Sequence, residues 1–191
     1  MFVGGCWLGE CHYVTEGNYD ALSMMHLARK VLGHIGVNPD RLRLEWISAS
    51  EGMRYAEVMN DFGKKLRELG PIGRGEGVDE ATLKLKFAAV QKILPYLKLV
   101  ERERLRVRFK TEEEYNAFFN SPEVDKLIRE LIGDKLAISQ ITTLLGEHPL
   151  STRELSEKLC LEAADVSRYL NTSARQGLVR YDSAQKRYAI A

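Results

Sequence analysis

Cys6 and Cys11 are the residues whose type and spacing most directly suggest chemistry. They lie in Gly4-Gly5-Cys6-Trp7-Leu8-Gly9-Glu10-Cys11-His12-Tyr13, separated by four residues, with glycine on both sides of Cys6. Thiolates are what iron–sulfur clusters need. Glycine lets the backbone turn tightly enough for N–H groups to approach inorganic sulfur. Gly5 and Gly9 are the candidates for shaping such a loop, and His12 for a hydrogen-bond donor behind the ligands. Two free thiols packed in a loop would show the same C-x4-C spacing, so this pattern leaves metal binding and plain packing both open. A thiol enzyme with Cys11 activated by His12 fits less well. Neighbouring residues of an extended chain point to opposite sides, and no third group is at hand to orient the pair. Cys160 stands far away among apolar residues and reads as a small core residue.

The elements around this loop belong to an α/β layer. Met1 to Val3 reads as the end of a buried strand that runs into the cysteine loop, where such layers usually place ligands. Leu22, Met25, Val31, Leu32 and Ile35 recur at helical spacing over 19–35, and Gly36 ends that helix. Leu42 to Ile47 alternates, with Leu42, Leu44 and Trp46 on one face and Arg43 and Glu45 on the other, which predicts a strand. Ser48 and Glu51 have capping-box spacing before a helix with Tyr55, Val58, Met59, Phe62 and Leu66. Gly70-Pro71 stops it, and Gly73, Gly75 and Gly77 read as a flexible break at a domain boundary.

Beyond the break, residues 78–97 read as a helix that Pro95 must kink or interrupt. Leu105, Val107 and Phe109 alternate with basic residues, favouring a strand over 104–110. Thr111 with Glu114, and Ser121-Pro122, mark two further helix starts. The last sixty residues predict three helices and a hairpin, a winged-helix pattern. The expected organisation is thus an α/β fragment at 1–70, a helix-rich α+β connecting region at 71–130, and a winged-helix module at 131–191.

Composition narrows the function. A formal net charge of +1 sets up no global field toward nucleic acid or membrane. The apolar runs fall far short of the roughly 20 residues of a membrane span, and the N-terminus lacks the pattern of a signal peptide. A cytoplasmic protein is expected. Three cysteines without an export signal argue against a disulfide framework.

The stretch GGCWLGECHYVTEGNY, followed by RLRLEWISASEGMRYAEVMNDF, resembles the delta subunit of methyl-viologen-reducing hydrogenase, an iron–sulfur protein associated with heterodisulfide reductase. The resemblance covers about the first seventy residues. It implies a 2Fe–2S cluster with Cys6 and Cys11 as ligands, in a protein that relays electrons without transforming a substrate. It also implies partners: a hydrogenase or formate dehydrogenase as donor, and a flavin-bearing, heterodisulfide-reductase-like protein as acceptor. The family domain continues upstream with further strands and cysteines, so this chain reads as an N-terminally truncated or split version. Two cysteines are half of the four ligands a 2Fe–2S cluster normally takes.

The alternative is a redox-responsive winged-helix regulator bound to DNA through Ser167, Arg168, Asn171 and Arg175. From Glu147 onward seven basic residues face six acidic ones, and Glu162 and Asp165 open the helix that would enter the groove. This charge pattern is poor for phosphate contact and favours protein docking.

Overall fold

Two short strands and the helices on either side of them carry the cysteine loop in the computed structural model, which describes residues 1–13 and 16–191. Val14 and Thr15, part of the stretch that bears the family resemblance, lie outside the described residues. Strand β1 (Phe2–Gly5) leads through the loop to helix α1 (Asn18–His34), which returns the chain to strand β2 (Arg43–Trp46). The strands are parallel, with Phe2 opposite Arg43 and Gly5 opposite Trp46, as a helical crossover requires. Successive side chains alternate, so Phe2, Gly4, Arg43 and Glu45 share one face, and Val3, Gly5, Leu44 and Trp46 the other.

Helix α2 (Gly52–Leu69) covers the first face. The rings of Tyr55 and Phe62 each lie 6.1 Å from that of Phe2, and Arg43 meets Asp61 at 2.5 Å. Helix α1 lies on the second face, where Leu22, Met25 and His26 line a cavity of about 50 Å³ with Leu44. The two helices therefore diverge to opposite sides of the sheet. Their divergence makes the carboxyl ends of β1 and β2 a switch point, the place where open α/β sheets bind ligands. Ser48 and Glu51 form half of the expected cap: Glu51 accepts the Ser48 N–H at 2.6 Å, and the helix itself begins at Gly52.

The glycine-rich segment after α2 is no flexible break. Arg41, only 8% exposed, donates to the carbonyls of Leu69, Gly70 and Pro71 and pairs with Glu76 at 2.5 Å. Gly75 passes so close to the Leu69 carbonyl that a Cβ there would collide with it.

The chain forms two compact units, Met1–Glu80 with Lys98–Lys126, and Ala81–Leu97 with Leu127–Ala191. Residues 71–130, read from sequence as one connecting region, are thus shared between them. Helix α3 (Glu80–Val100) runs through Pro95 without a break and ends in a π-helical turn at Glu101–Leu105. No strand forms over 104–110. Phe109 joins an aromatic cluster instead, packing edge-on against Tyr115 at 5.3 Å, and Tyr115 stacks on Tyr19 of α1 at 5.7 Å; Leu105 is fully buried. Arg106 reaches the acidic start of α1, at 3.5 Å from Glu16 and 3.6 Å from Asp20. Helix α4 (Glu112–Phe119) has its capping box, with Thr111 Oγ1 accepting from the Glu114 N–H at 3.3 Å and Glu114 accepting back from Thr111 at 3.2 Å. Helix α5 (Pro122–Ile128) follows.

The second unit contains helices α6 (Asp134–Glu147), α7 (Thr152–Leu159) and α8 (Ala163–Arg175) and the antiparallel strands β3 (Val179–Asp182) and β4 (Arg187–Ile190). Ile141, Leu145, Leu155, Val166 and Leu170 form its core. Leu150 exchanges two backbone hydrogen bonds with Tyr188, extending the hairpin by one residue. Ser151 and Glu154 cap α7 reciprocally, as their spacing predicts. Cys160 is exposed, not in the core. It ends α7 in a left-handed conformation (φ 53°) that turns its side chain outward. No helix among the described residues is long and apolar enough to cross a membrane.

Candidate metal centre

Cys6 follows directly on the last residue of β1, and the loop folds back so that Cys11 meets the start of α1. The Tyr13 and Asn18 backbone N–H groups donate to the Cys11 sulfur and, with the thiol of Cys6, hold Cys11 below the usual thiol range. Asn18 opens α1, so the positive end of a 17-residue helix adds to this stabilisation of a thiolate. Cys6 moves the other way: its hydrogen bond to Cys11 and its partial burial raise it. The two thiols thus shift one another in opposite directions. Both side chains are half-buried.

Three contacts fix the loop. The Asn18 side chain, 4% exposed, donates to the carbonyls of Trp7 at 2.7 Å and Cys6 at 3.2 Å, with the Cys6 sulfur 4.0 Å away. Trp7 donates its indole N–H to Glu51 at 2.8 Å, and the Arg54 guanidinium lies over the same ring, 5.0 Å from its centre. The Ser48 N–H, Trp7 and Arg54 together hold the Glu51 carboxyl below the usual carboxylate range. A charged anchor at the head of α2 thus clamps the loop across the end of the sheet.

Glycines make the close approaches possible. Gly17 has φ +83°, and a Cβ there would stand 2.6 Å from the Cys11 sulfur. At Gly5 a Cβ would come within 2.9 Å of the Trp46 ring, which passes beneath the strand end. Gly9 needs its φ of +87° for the turn but faces open space. His12 is exposed and packs edge-on against Tyr13 at 5.2 Å.

The structure places Cys6 and Cys11, the two expected ligands, in the one loop between β1 and α1. Gly17, Asn18 and Glu51 were missed as parts of the site. Their one signal was a Gly-Asn pair placed just ahead of a helical repeat. Among the described residues no third His, Cys, Asp or Glu joins the two thiols in a metal-holding group. The pair nevertheless fits one iron of an iron–sulfur cluster: two adjacent sulfurs, N–H donors for the negative charge, and a glycine cradle that a side chain would fill. Two thiols are half of the four ligands that such a cluster normally takes.

Known proteins carry the same segment. Residues 1–70 match the family described as methyl-viologen-reducing hydrogenase, delta subunit. This stretch is a delta-subunit segment. It is 55% identical over 72 residues to an F420-non-reducing hydrogenase iron-sulfur subunit of Archaeoglobus profundus, covering 38% of this chain and 52% of that protein. Over 71 residues it is 39% identical to the iron-sulfur subunit of the vhc F420-non-reducing hydrogenase of Methanococcus voltae, covering 37% of this chain and 49% of that one. A third relative is a subunit of the ferredoxin/F(420)H(2)-dependent CoB-CoM heterodisulfide reductase of Methanosarcina acetivorans. There the identity is 48% over 73 residues, 38% of this chain but 9% of the reductase polypeptide. The chain therefore spans about half the length of the hydrogenase subunits it matches. The delta-subunit segment occurs both in small hydrogenase subunits and inside a far larger reductase polypeptide. No solved structure matches the chain.

Proposed function

We propose that this chain is an electron-relay component of a hydrogenase–heterodisulfide reductase assembly, with Cys6 and Cys11 holding one iron of a 2Fe–2S cluster. The observation that carries this reading is the Cys11 sulfur. It accepts the backbone N–H of Asn18 at the start of α1 and that of Tyr13 in the loop, while the Cys6 thiol neighbours it. Such an arrangement favours a deprotonated ligand before metal arrives. The cluster would supply reversible one-electron storage. The residues of this chain set its surroundings: Gly17 lets Cys11 approach α1, Asn18 orders the Cys6 and Trp7 carbonyls, and Trp7 with Glu51 and Arg54 closes the loop over the sheet end. Hydrogen bonds to sulfur and partial solvent exclusion are the features by which a protein sets a cluster's potential.

The donor in this reading is a hydrogenase or a formate dehydrogenase, and the acceptor a heterodisulfide-reductase-like flavoprotein, in the cytoplasm. The segment's presence in both kinds of relative supports a place between these activities. The chain performs no substrate chemistry of its own.

Residues 131–191 are proposed as a winged-helix module that docks protein. Arg168, one of the two arginines of α8 that could meet DNA, is held by Asp134 and Asp165, each at 3.2 Å, and by the Tyr169 hydroxyl. A duplex would have to displace these partners before gaining a phosphate contact.

Anaerobic co-purification with neighbouring hydrogenase and reductase subunits, followed by iron and sulfide analysis, tests the reading. Two irons and two sulfides per assembled site are expected beyond those of the partners alone. An assembly whose iron content is unchanged by this chain would overturn it.

A further inference from the structure

Residues beyond the delta-subunit segment are built into the unit that carries the cysteine loop. The family match ends at residue 70, but Lys98–Lys126 belongs to the same compact unit as Met1–Glu80. Helix α4 lies in this addition. Its buried rings anchor it to α1: Tyr115 stacks on Tyr19 at 5.7 Å, and Phe119 on His26 at 4.7 Å. This packing accounts for where α4 sits, but not for the direction in which Glu112 points.

Three glutamates open α4, and they are used differently. Glu114 completes the capping box with Thr111, and Glu113 is exposed. Glu112 is half-buried and accepts the indole N–H of Trp46 at 2.9 Å. Trp46 ends β2, stands opposite Gly5 in the strand register and is 7% exposed. A Cβ on Gly5 would come within 2.9 Å of one carbon of its six-membered ring and 3.1 Å of another. The indole therefore supports the last residue of β1 with its carbocycle while its N–H is tied to α4. Cys6 is the next residue along.

A largely buried indole N–H needs a partner. Without the Glu112 carboxylate the ring must turn to find one, and its carbocycle then leaves Gly5. On the other side of Cys6, the Trp7 indole N–H is held by Glu51 at 2.8 Å. Both neighbours of Cys6 are thus fixed by an indole–carboxylate bond, Trp7 directly and Gly5 by way of Trp46. Glu51 lies within the matched segment and Glu112 lies outside it.

We propose that Glu112 is a positioning residue for the cysteine loop, acting through Trp46, which makes α4 a working part of the site. The consequence at the metal rests on the reading of Cys6 as a ligand. The coupling from Glu112 to Cys6 is a property of the metal-free chain and is measured there.

Iodoacetamide labelling of the metal-free full chain, read by peptide mapping, is the test. Glu112→Ala speeds alkylation of Cys6 by about tenfold, or about 1.4 kcal/mol, the size of one buried hydrogen bond, without changing the helical circular dichroism. Glu112→Gln, whose amide oxygen can accept the same N–H, restores the unaltered rate. Tyr115→Phe is the structural control. It loses the hydroxyl bond to the Val107 carbonyl, 3.0 Å long, and so loosens α4 while leaving Glu112 in place; its Cys6 reacts as in the unaltered chain. In the anaerobic assembly, Glu112→Ala alone shifts the visible circular dichroism of the bound cluster. An unchanged Cys6 rate in Glu112→Ala, a Glu112→Gln chain as fast as Glu112→Ala, or the same acceleration in Tyr115→Phe would each overturn the proposal. The labelling pattern in a chain whose assembly holds no added iron leaves the positioning role intact and sinks the cluster reading; a bound cluster without the labelling pattern does the reverse.

Discussion

Replacing Gly17 with alanine tests whether the geometry around Cys11 is required. Two penalties arise at this position. A side chain at φ +83° costs about 1–2 kcal/mol of backbone strain. The new methyl group would also stand 2.6 Å from the Cys11 sulfur, where ordinary contact needs 3.4–4 Å. The sulfur must retreat by roughly 1 Å, several times the ~0.2 Å tolerance of a metal–ligand distance. In doing so it leaves the Tyr13 and Asn18 N–H groups. Gly9→Ala is the matched control, since φ there is +87° but open space surrounds the position. Both variants should lose about 1–2 kcal/mol to backbone strain in urea unfolding, and Gly17→Ala more than Gly9→Ala because of the clash. Gly17→Ala alone should lose iron from the anaerobically assembled complex, and its Cys11 should react with iodoacetamide only at higher pH. Full iron retention by Gly17→Ala, or equal iron loss in both variants, would refute the steric reasoning.

Three further outcomes follow from the same structure. In the metal-free chain Cys11 should be alkylated at lower pH than Cys6, because the first is held below and the second above the usual thiol range; peptide mapping after brief labelling reads the order, and simultaneous labelling contradicts it. Asn18→Ala should cost about 1–3 kcal/mol by leaving the Trp7 and Cys6 carbonyls without their donor, and Asn18→Asp should cost more, since a carboxylate cannot donate to them; a thermal melt in which Asp is the milder change contradicts this. Burial lowers His26 to about 4 from an ordinary 6.5. The unfolded chain therefore gains a proton that the folded one refuses as pH falls from 6.5 to about 4, and stability drops across that window. The full shift corresponds to roughly 3 kcal/mol, which partial solvent access reduces to about 1–2. His26→Phe, which keeps the stack on Phe119, should flatten the urea midpoint over this range, and an unchanged slope would exclude His26 as the cause.

The cysteine loop, α1, the two faces of β2 and the caps of α4 and α7 were legible because each rests on local chemistry: thiol spacing, apolar periodicity, or a Ser/Thr with Glu three residues on. Contacts between distant residues were not legible. Nothing near Gly70 and Pro71 announces that Arg41, about thirty residues earlier, will pin them. The alternation at Leu105, Val107 and Phe109 is as consistent with an aromatic cluster as with a strand, and the rings of Tyr19 and Tyr115 decided between them. Cys160 looked internal from its apolar neighbours, but the left-handed end of α7 swings it outward. Within the site, Cys6 and Cys11 could be named in advance, whereas Gly17 and Asn18 acquire meaning only once α1 is seen to begin at the Cys11 sulfur.

The most direct measurement is the iron content of the anaerobic assembly when this chain carries Cys6→Ser or Cys11→Ser. Each single change should lower iron and shift the visible absorption of what remains, with Cys11→Ser the more severe because its N–H donors then face a poorer ligand. Unchanged iron and an unchanged spectrum in both variants would show that these sulfurs do not hold the metal.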